Sequence, residues 1–161
     1  MKDKNSQIID QVKKHIKSTK TNESSSKNDS KDKDVVEDLM SKGRDLPIVN
    51  ENTFMQNALK IITNKKLGVL IVKSKKGQVI GIITDGQIRR SSQKNKEIQN
   101  LRVKEVMTKN PISVDKDILA AKALSIMNTK KITSLCVYNK KNKSKTIGIL
   151  HIHNVLENNV R

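Results

Sequence analysis

The chain reads as an α+β protein (α/β by some schemes), built from two β-α-β-β-α repeats packed as a pseudo-twofold pair. Three observations predict this. The sequence repeats itself: Val36-Glu-Asp-Leu-Met40 returns 67 positions on as Val103-Lys-Glu-Val-Met107, and Gly81-Ile-Ile-Thr84 returns at the same offset as Gly148-Ile-Leu-His151. Between these motifs the offset falls to 65, where Leu67-Gly-Val-Leu-Ile-Val72 matches Ile132-Thr-Ser-Leu-Cys-Val137. Length changes confined to turns, with the elements kept, are what a duplicated fold shows. Finally, each copy passes through the same order of apolar periodicities, and a unit of about 60 residues buries too little surface to stand alone. Two such units would cover each other's sheets and leave a cleft between the copies.

Each element follows from its residues. Leu46-Pro-Ile-Val49 and Pro111-Ile-Ser-Val114 are short apolar pieces in which proline excludes a helix interior and favours extended backbone. A helix comes next, because Met55, Ala58, Leu59 and Ile62 recur at helical spacing, as do Ala120, Ala123, Leu124 and Met127. Asn52 or Thr53, and Asp115 or Asp117, are the expected N-caps. Paired β-rich runs follow at 69–72 and 79–84, then at 135–138 and 146–150, with Gly77 in the first connecting turn. A short helix closes each copy, over 85–91 and 153–158. Repeat 1 is drawn as residues 35–92 and repeat 2 as 93–161.

Residues 1–34 differ in character. From Ser18 to Asp34 every side chain is polar or charged, so the stretch cannot offset the entropy of ordering and reads as a disordered, flexible tail. Before it, Ile8, Ile9, Val12 and Ile16 define a short amphipathic helix over 6–17, of a length that is marginal alone in water.

Lys plus Arg is 33 against 16 for Asp plus Glu, a formal net charge of +17. Such an excess points to anionic partners, or to a bias toward lysine throughout the chain. The single cysteine, Cys136, cannot form an internal disulfide, which fits a reducing compartment. No apolar run approaches the ~18 residues that span a bilayer, and no secretory signal opens the chain. The expectation is a cytoplasmic protein with no membrane partner. Phe54 and Tyr138 are the only aromatics, too few for base-stacking platforms, so nucleic acid is not expected as the partner.

The repeat resembles the tandem CBS domain pair over residues 35–157. The likeness narrows on Asp45-Leu-Pro-Ile-Val49, Asn64-Lys-Lys-Leu-Gly68, Gly81-Ile-Ile-Thr-Asp-Gly-Gln-Ile-Arg-Arg90, Val106-Met-Thr108, Ile132-Thr-Ser-Leu135 and Gly148-Ile-Leu-His-Ile-His-Asn154. In combination these resemble the C-terminal regulatory region of arabinose-5-phosphate isomerases, enzymes on the route to the sugar Kdo. In that family a sugar-isomerase domain precedes the pair and holds the catalytic groups. Nothing like it is present among the residues before Val35, so the chain is expected to be a regulatory module with no catalytic residue of its own.

The resemblance also implies where a ligand would sit. CBS pairs often bind adenosine ligands through a Thr/Ser-x-x-Asp motif. Here the first copy reads Thr84-Asp-Gly-Gln87 and the second His151-Ile-His-Asn154, so both carboxylates are replaced. Trading a charged for a neutral hydrogen bond costs about 1–2 kcal/mol, roughly tenfold in ribose affinity. A sugar phosphate then competes with a nucleotide as the expected small anionic ligand, and no fixed cofactor is implied. The candidate ligand residues are Ile48, Thr84, Gln87, Arg89, Arg90, Thr133, Ser134, His151, His153 and Asn154. An arginine suits bidentate phosphate contact, while Asp85 is read as a cap of the closing helix. His151 and His153 would share a face at a strand end, but no third ligand lies nearby and no metal site is expected. A homodimer and a separate sugar-isomerase-domain partner complete the expectations. The alternatives are a weak nucleic-acid-binding protein or a purely oligomerising one.

Overall fold

The computed structural model describes Asp10 and residues 33–159. The tail expected over 1–34, with its helix over 6–17, lies outside the described residues apart from Asp10, Lys33 and Asp34. The elements run α1 (Val36–Leu39), β1 (Ser41–Lys42), β2 (Ile48–Asn50), α2 (Met55–Lys65), β3 (Val69–Lys73), β4 (Val79–Thr84) and α3 (Asp85–Lys94). They continue as α4 (Val103–Val106), β5 (Thr108–Lys109), β6 (Ser113–Asp115), α5 (Ala120–Lys130), β7 (Ser134–Asn139), β8 (Asn142–His151) and α6 (Ile152–Asn159). The fold is α+β, with two four-stranded sheets ordered β2-β3-β4-β5 and β1-β8-β7-β6.

Strand alternation divides the apolar residues among three clusters. Leu70 and Val72 on β3 join Met55, Ala58 and Ile62 of α2 in the first core. Leu135 and Val137 on β7 join Ala123, Leu124 and Met127 of α5 in the second. The intervening residues face the other way. Val69, Ile71 and Ile149 pack together with Ile82, Leu46 and Leu67 between the sheets, so the two repeats share a middle layer. Cys136 is 1 % exposed, and burial pushes its thiol up to about 12. The thiolate is the form that attacks a disulfide reagent, so Cys136 is expected to stay unlabelled by such a reagent at pH 8 and to react fully once the chain is unfolded.

The repeats exchange their leading arms. Strand β1 lies in the leading part of repeat 1 yet pairs antiparallel with β8 of repeat 2, Ser41 opposite Ile149. Strand β5 lies in the leading part of repeat 2 yet pairs with β4 of repeat 1. Val36 and Met40 accordingly lie in the second core, and Val103 and Val106 in the first. The arms also cap the helices. The Met55 N–H donates to the Leu101 carbonyl at 2.8 Å, and the Ala120 N–H to the Asp34 carbonyl at 2.8 Å.

This corrects the expected caps. The N-cap residues are Phe54 and Leu119, neither with a side-chain cap bond, because backbone from the exchanged arm supplies the acceptor. Asn50 and Asp115 instead close local turns, accepting from the Asn52 and Asp117 N–H groups at 3.0 and 2.9 Å. The short strands begin later than expected, at Ile48 and Ser113. Pro47 and Pro111 lie just outside them, where a missing N–H breaks no ladder.

Candidate ligand cleft

Both closing helices begin where a β-hairpin ends, and each start is built differently. In repeat 1, Thr84 is the N-cap of α3, its Oγ1 accepting from the Gln87 N–H at 3.3 Å. Asp85 is therefore the first residue of the helix and not its cap. A hydroxyl on extended backbone reaches the N–H three residues on, whereas a residue already in helical geometry cannot. In repeat 2 the corresponding residue is His151. Its Nδ1 accepts from the His153 N–H at 3.2 Å, and its own N–H donates to Asn154 Oδ1 at 3.2 Å. With Nδ1 accepting, the proton of the neutral ring belongs on Nε2. Burial, with His153 beside it, lowers the His151 pKa to about 4. His153 is exposed on α6 and stacks on His151, ring centroids 4.8 Å apart. The strand ends at His151, so the two imidazoles do not project side by side from one strand as expected. Among the described residues no group of three or more His, Cys, Asp or Glu stands together to hold a metal ion.

Gln87 and Asn154 occupy the positions where the resembling family places a carboxylate, and both amides are engaged within the protein. Gln87 Nε2 donates to the Val106 carbonyl at 2.5 Å, and the Thr108 hydroxyl donates to Gln87 Oε1. The Gln87 side chain thus ties α3 to the arm leading into repeat 2. Asn154 spends its oxygen on the His151 N–H. Arg89 and Arg90 are exposed on α3. Ile48 is 38 % exposed at the start of β2, matched in repeat 2 by Ile112 at 38 %.

The remaining candidates come together where the two repeats meet. Ser134 pairs with His151 across β7 and β8, and directly opposite residues share a face. Ser134 is 2 % exposed and its Oγ has no hydrogen-bond partner. Thr133 is buried beside it, its carbonyl accepting from the Ile152 N–H at 2.8 Å. From repeat 1, Gly68 and Asp85 face this group. A Cβ at Gly68 would stand 2.9 Å from Asp85 Oδ2 and 4.0 Å from His151 Nε2. Gly68 has φ +65°, so glycine suits it both for backbone and for space. Gly68 and Asp85 were not among the sequence candidates, although a glycine at the mouth of a buried strand is a signal of close approach.

The arrangement defines a two-repeat module with a polar notch at the junction of its halves. A model of the CBS domain matches residues 36–94 and again 103–160. The chain belongs to the CBS domain family, as a tandem pair. It is 35% identical over 121 residues to the uncharacterized protein RP505 of Rickettsia prowazekii. It is 36% identical over 121 residues to the arabinose 5-phosphate isomerase KdsD of Salmonella typhi. Each match covers 75% of this chain and 36% of the relative, so the chain spans little more than a third of these relatives' length.

Solved structures share the fold. A conserved protein from Pyrococcus horikoshii superposes with a TM-score of 0.71 at 24% identity, over 81% of this chain and 95% of that one. CBSX2 in complex with AMP gives 0.66 at 23% identity, over 78% and 96%; CBSX2 is from Arabidopsis thaliana. The CBS pair of MJ0100, in complex with 5′-methylthioadenosine and S-adenosyl-L-methionine, gives 0.67 at 22% identity, over 77% and 98%.

Proposed function

We propose that this chain is a regulatory module whose cleft binds a small anionic metabolite, a sugar phosphate or a nucleotide, and thereby modulates a partner in arabinose 5-phosphate metabolism. The observation that carries the reading is the 36% identity over 121 residues to an arabinose 5-phosphate isomerase, confined to 36% of that enzyme. The complexes of AMP with CBSX2 and of adenosyl compounds with MJ0100 support a small-molecule ligand for this fold. On this reading turnover belongs to a sugar-isomerase domain, which is the partner regulated. The module works in the cytoplasm as a homodimer.

A ligand that binds only the folded state stabilises it by about 2.7 kcal/mol at a hundredfold excess over Kd. For a chain of this size that is a rise in Tm of roughly 5–10 °C. Thermal melts with arabinose 5-phosphate, ribulose 5-phosphate, AMP and a cytidine-linked sugar are expected to show it for at least one. No shift with any of them would sink the reading.

The lysines favour a second reading. Lys140, Lys141, Lys143 and Lys145 are all exposed around the β7–β8 turn. Such a patch suits weak, salt-sensitive phosphate contacts. A gel shift that survives physiological salt would favour nucleic acid over a metabolite.

A further inference from the structure

We propose that the helical face of repeat 2, where α5 begins beside α1, is a docking site for the chain's own N-terminal segment, with Ile8, Ile9, Val12 and Ile16 seated on it as one apolar helix face. The inference is independent of any ligand in the cleft.

The difference between the two repeats carries it. In repeat 1 the chain crosses α2 before it enters the arm. Ile98, 6 % exposed, and half-buried Leu101 pack with the first core, and the turn Ile98–Asn100 lies against α2. Arg102 then lies over one face of the Phe54 ring, 4.2 Å from its centroid. The backbone joints of repeat 2 are the same. Leu119 bridges Val35 as Phe54 bridges Arg102, and Ala120 donates to Asp34 as Met55 donates to Leu101. The side chains differ. Sixty-seven positions before Ile98 and Leu101 stand Lys31 and Asp34, which bring no apolar group to the second core. Val35 stands in the place of Arg102 and is too short to lie across its neighbour. Leu119 is 47 % exposed, the most exposed large apolar side chain among the described residues. Leu39 of α1, Ile126 of α5 and Leu156 of α6 are half-buried at the edge of the second core, on three helices that pack together.

The occupant follows from the chain that enters at this point. No apolar side chain stands between Ser18 and Asp34, so the nearest upstream are Ile16, Val12, Ile9 and Ile8. At helical spacing these four share one face. Asp10, the one described residue of that segment, is helical and exposed, and its position falls on the opposite face. A helix this short is marginal in water and gains stability from an apolar surface to lie on. The linker is long enough. Asp34, whose carbonyl caps α5, lies 18 residues after Ile16. A flexible chain of that length spans about 25 Å, against about 16 Å for the whole of α5. Such a tether holds the segment at an effective concentration on the order of 1 mM beside α5. A second copy of the chain would have to compete with it from free solution.

The test is disulfide trapping in the full chain, where native Cys136 is 1 % exposed and stays out of reach. Lys13→Cys is combined either with Lys122→Cys, on the first turn of α5, or with Asn57→Cys, at the matching position of α2; Lys122 and Asn57 are both exposed. With diamide as oxidant, the first pair is expected to close within one chain about tenfold faster than the second, at a rate independent of protein concentration. Adding Ile9→Asp and Val12→Asp is expected to bring both pairs to the same slow rate. Hydrogen exchange of the native chain is expected to show the amides of residues 9–17 slowed about tenfold relative to those of 18–30, a protection lost in the Ile9→Asp, Val12→Asp chain. Equal closure of the two pairs, or amides of 9–17 that exchange as fast as those of 18–30, overturns the docking. Disulfides that form between chains and rise with concentration assign the face to a second copy and overturn it as well.

Discussion

Gly148→Ala is expected to lower the stability of the chain by about 1–2 kcal/mol and to loosen the arm formed by residues 35–42. Gly148 lies under that arm on β8. A Cβ there would stand 2.5 Å from Met40 Sδ and 2.9 Å from the Ser41 carbonyl oxygen. The methionine can swing away, but the carbonyl belongs to β1, which is paired to β8 through Ser41–Ile149 and Lys42–Gly148. Overpacking of this kind costs about 1–3 kcal/mol. The backbone entropy gained by removing a glycine offsets less than half of the larger figure. Losing the arm further uncovers Val36, which is fully buried in the second core. Denaturant melts read the loss, and hydrogen exchange should show the β1–β8 amides opening first. The deficit should persist in a Met40→Ala background, since the Ser41 carbonyl remains. A neutral Gly148→Ala would mean that the arm does not rest on β8.

Stability is expected to fall by about 3 kcal/mol as pH drops from 6.5 to 4, through His151. Its pKa lies at about 4 in the folded chain, because burial disfavours the cation and His153 lies beside it. The unfolded side chain titrates near 6.5. Between those values the unfolded state binds a proton that the folded state refuses, so stability is full above about pH 6.5 and is lost progressively down to about 4. His151→Asn keeps an acceptor for the His153 N–H and removes the titration. The difference between the wild-type and His151→Asn stability curves isolates this contribution from every other titrating group. Parallel curves from pH 7 to 4 would show that His151 is free to charge in the folded state.

The duplicated core was legible in the chain because its signal is periodic. Met55, Ala58 and Ile62, and their counterparts Ala120, Ala123 and Met127, lie on buried helix faces as their spacing implies. The β3–β4 and β7–β8 hairpins follow the apolar runs for the same reason. The exchanged arms were not legible. Their strands have two residues each, and their contacts with α2 and α5 run from backbone to backbone, which leaves no mark on residue type. The caps misled for the same reason: Asn52, Thr53 and Asp117 are good capping residues, but the acceptors came from Leu101 and Asp34.

The cleft was legible by half. Ser134 and His151 were singled out and face each other across two strands. Gln87 was singled out by position alone, and only the fold shows its amide spent on Val106 and Thr108. Asp85 reads as a cap from the sequence because Thr84 and Asp85 are adjacent and both suit that role. Which of them sits on extended backbone depends on where β4 ends.

Isothermal titration of the native chain against arabinose 5-phosphate and AMP, with product assayed in the same cell, tests the central reading most directly. The expected result is saturable binding of at least one compound with no conversion of arabinose 5-phosphate. Conversion by the chain itself, or the absence of any binding heat, would contradict it.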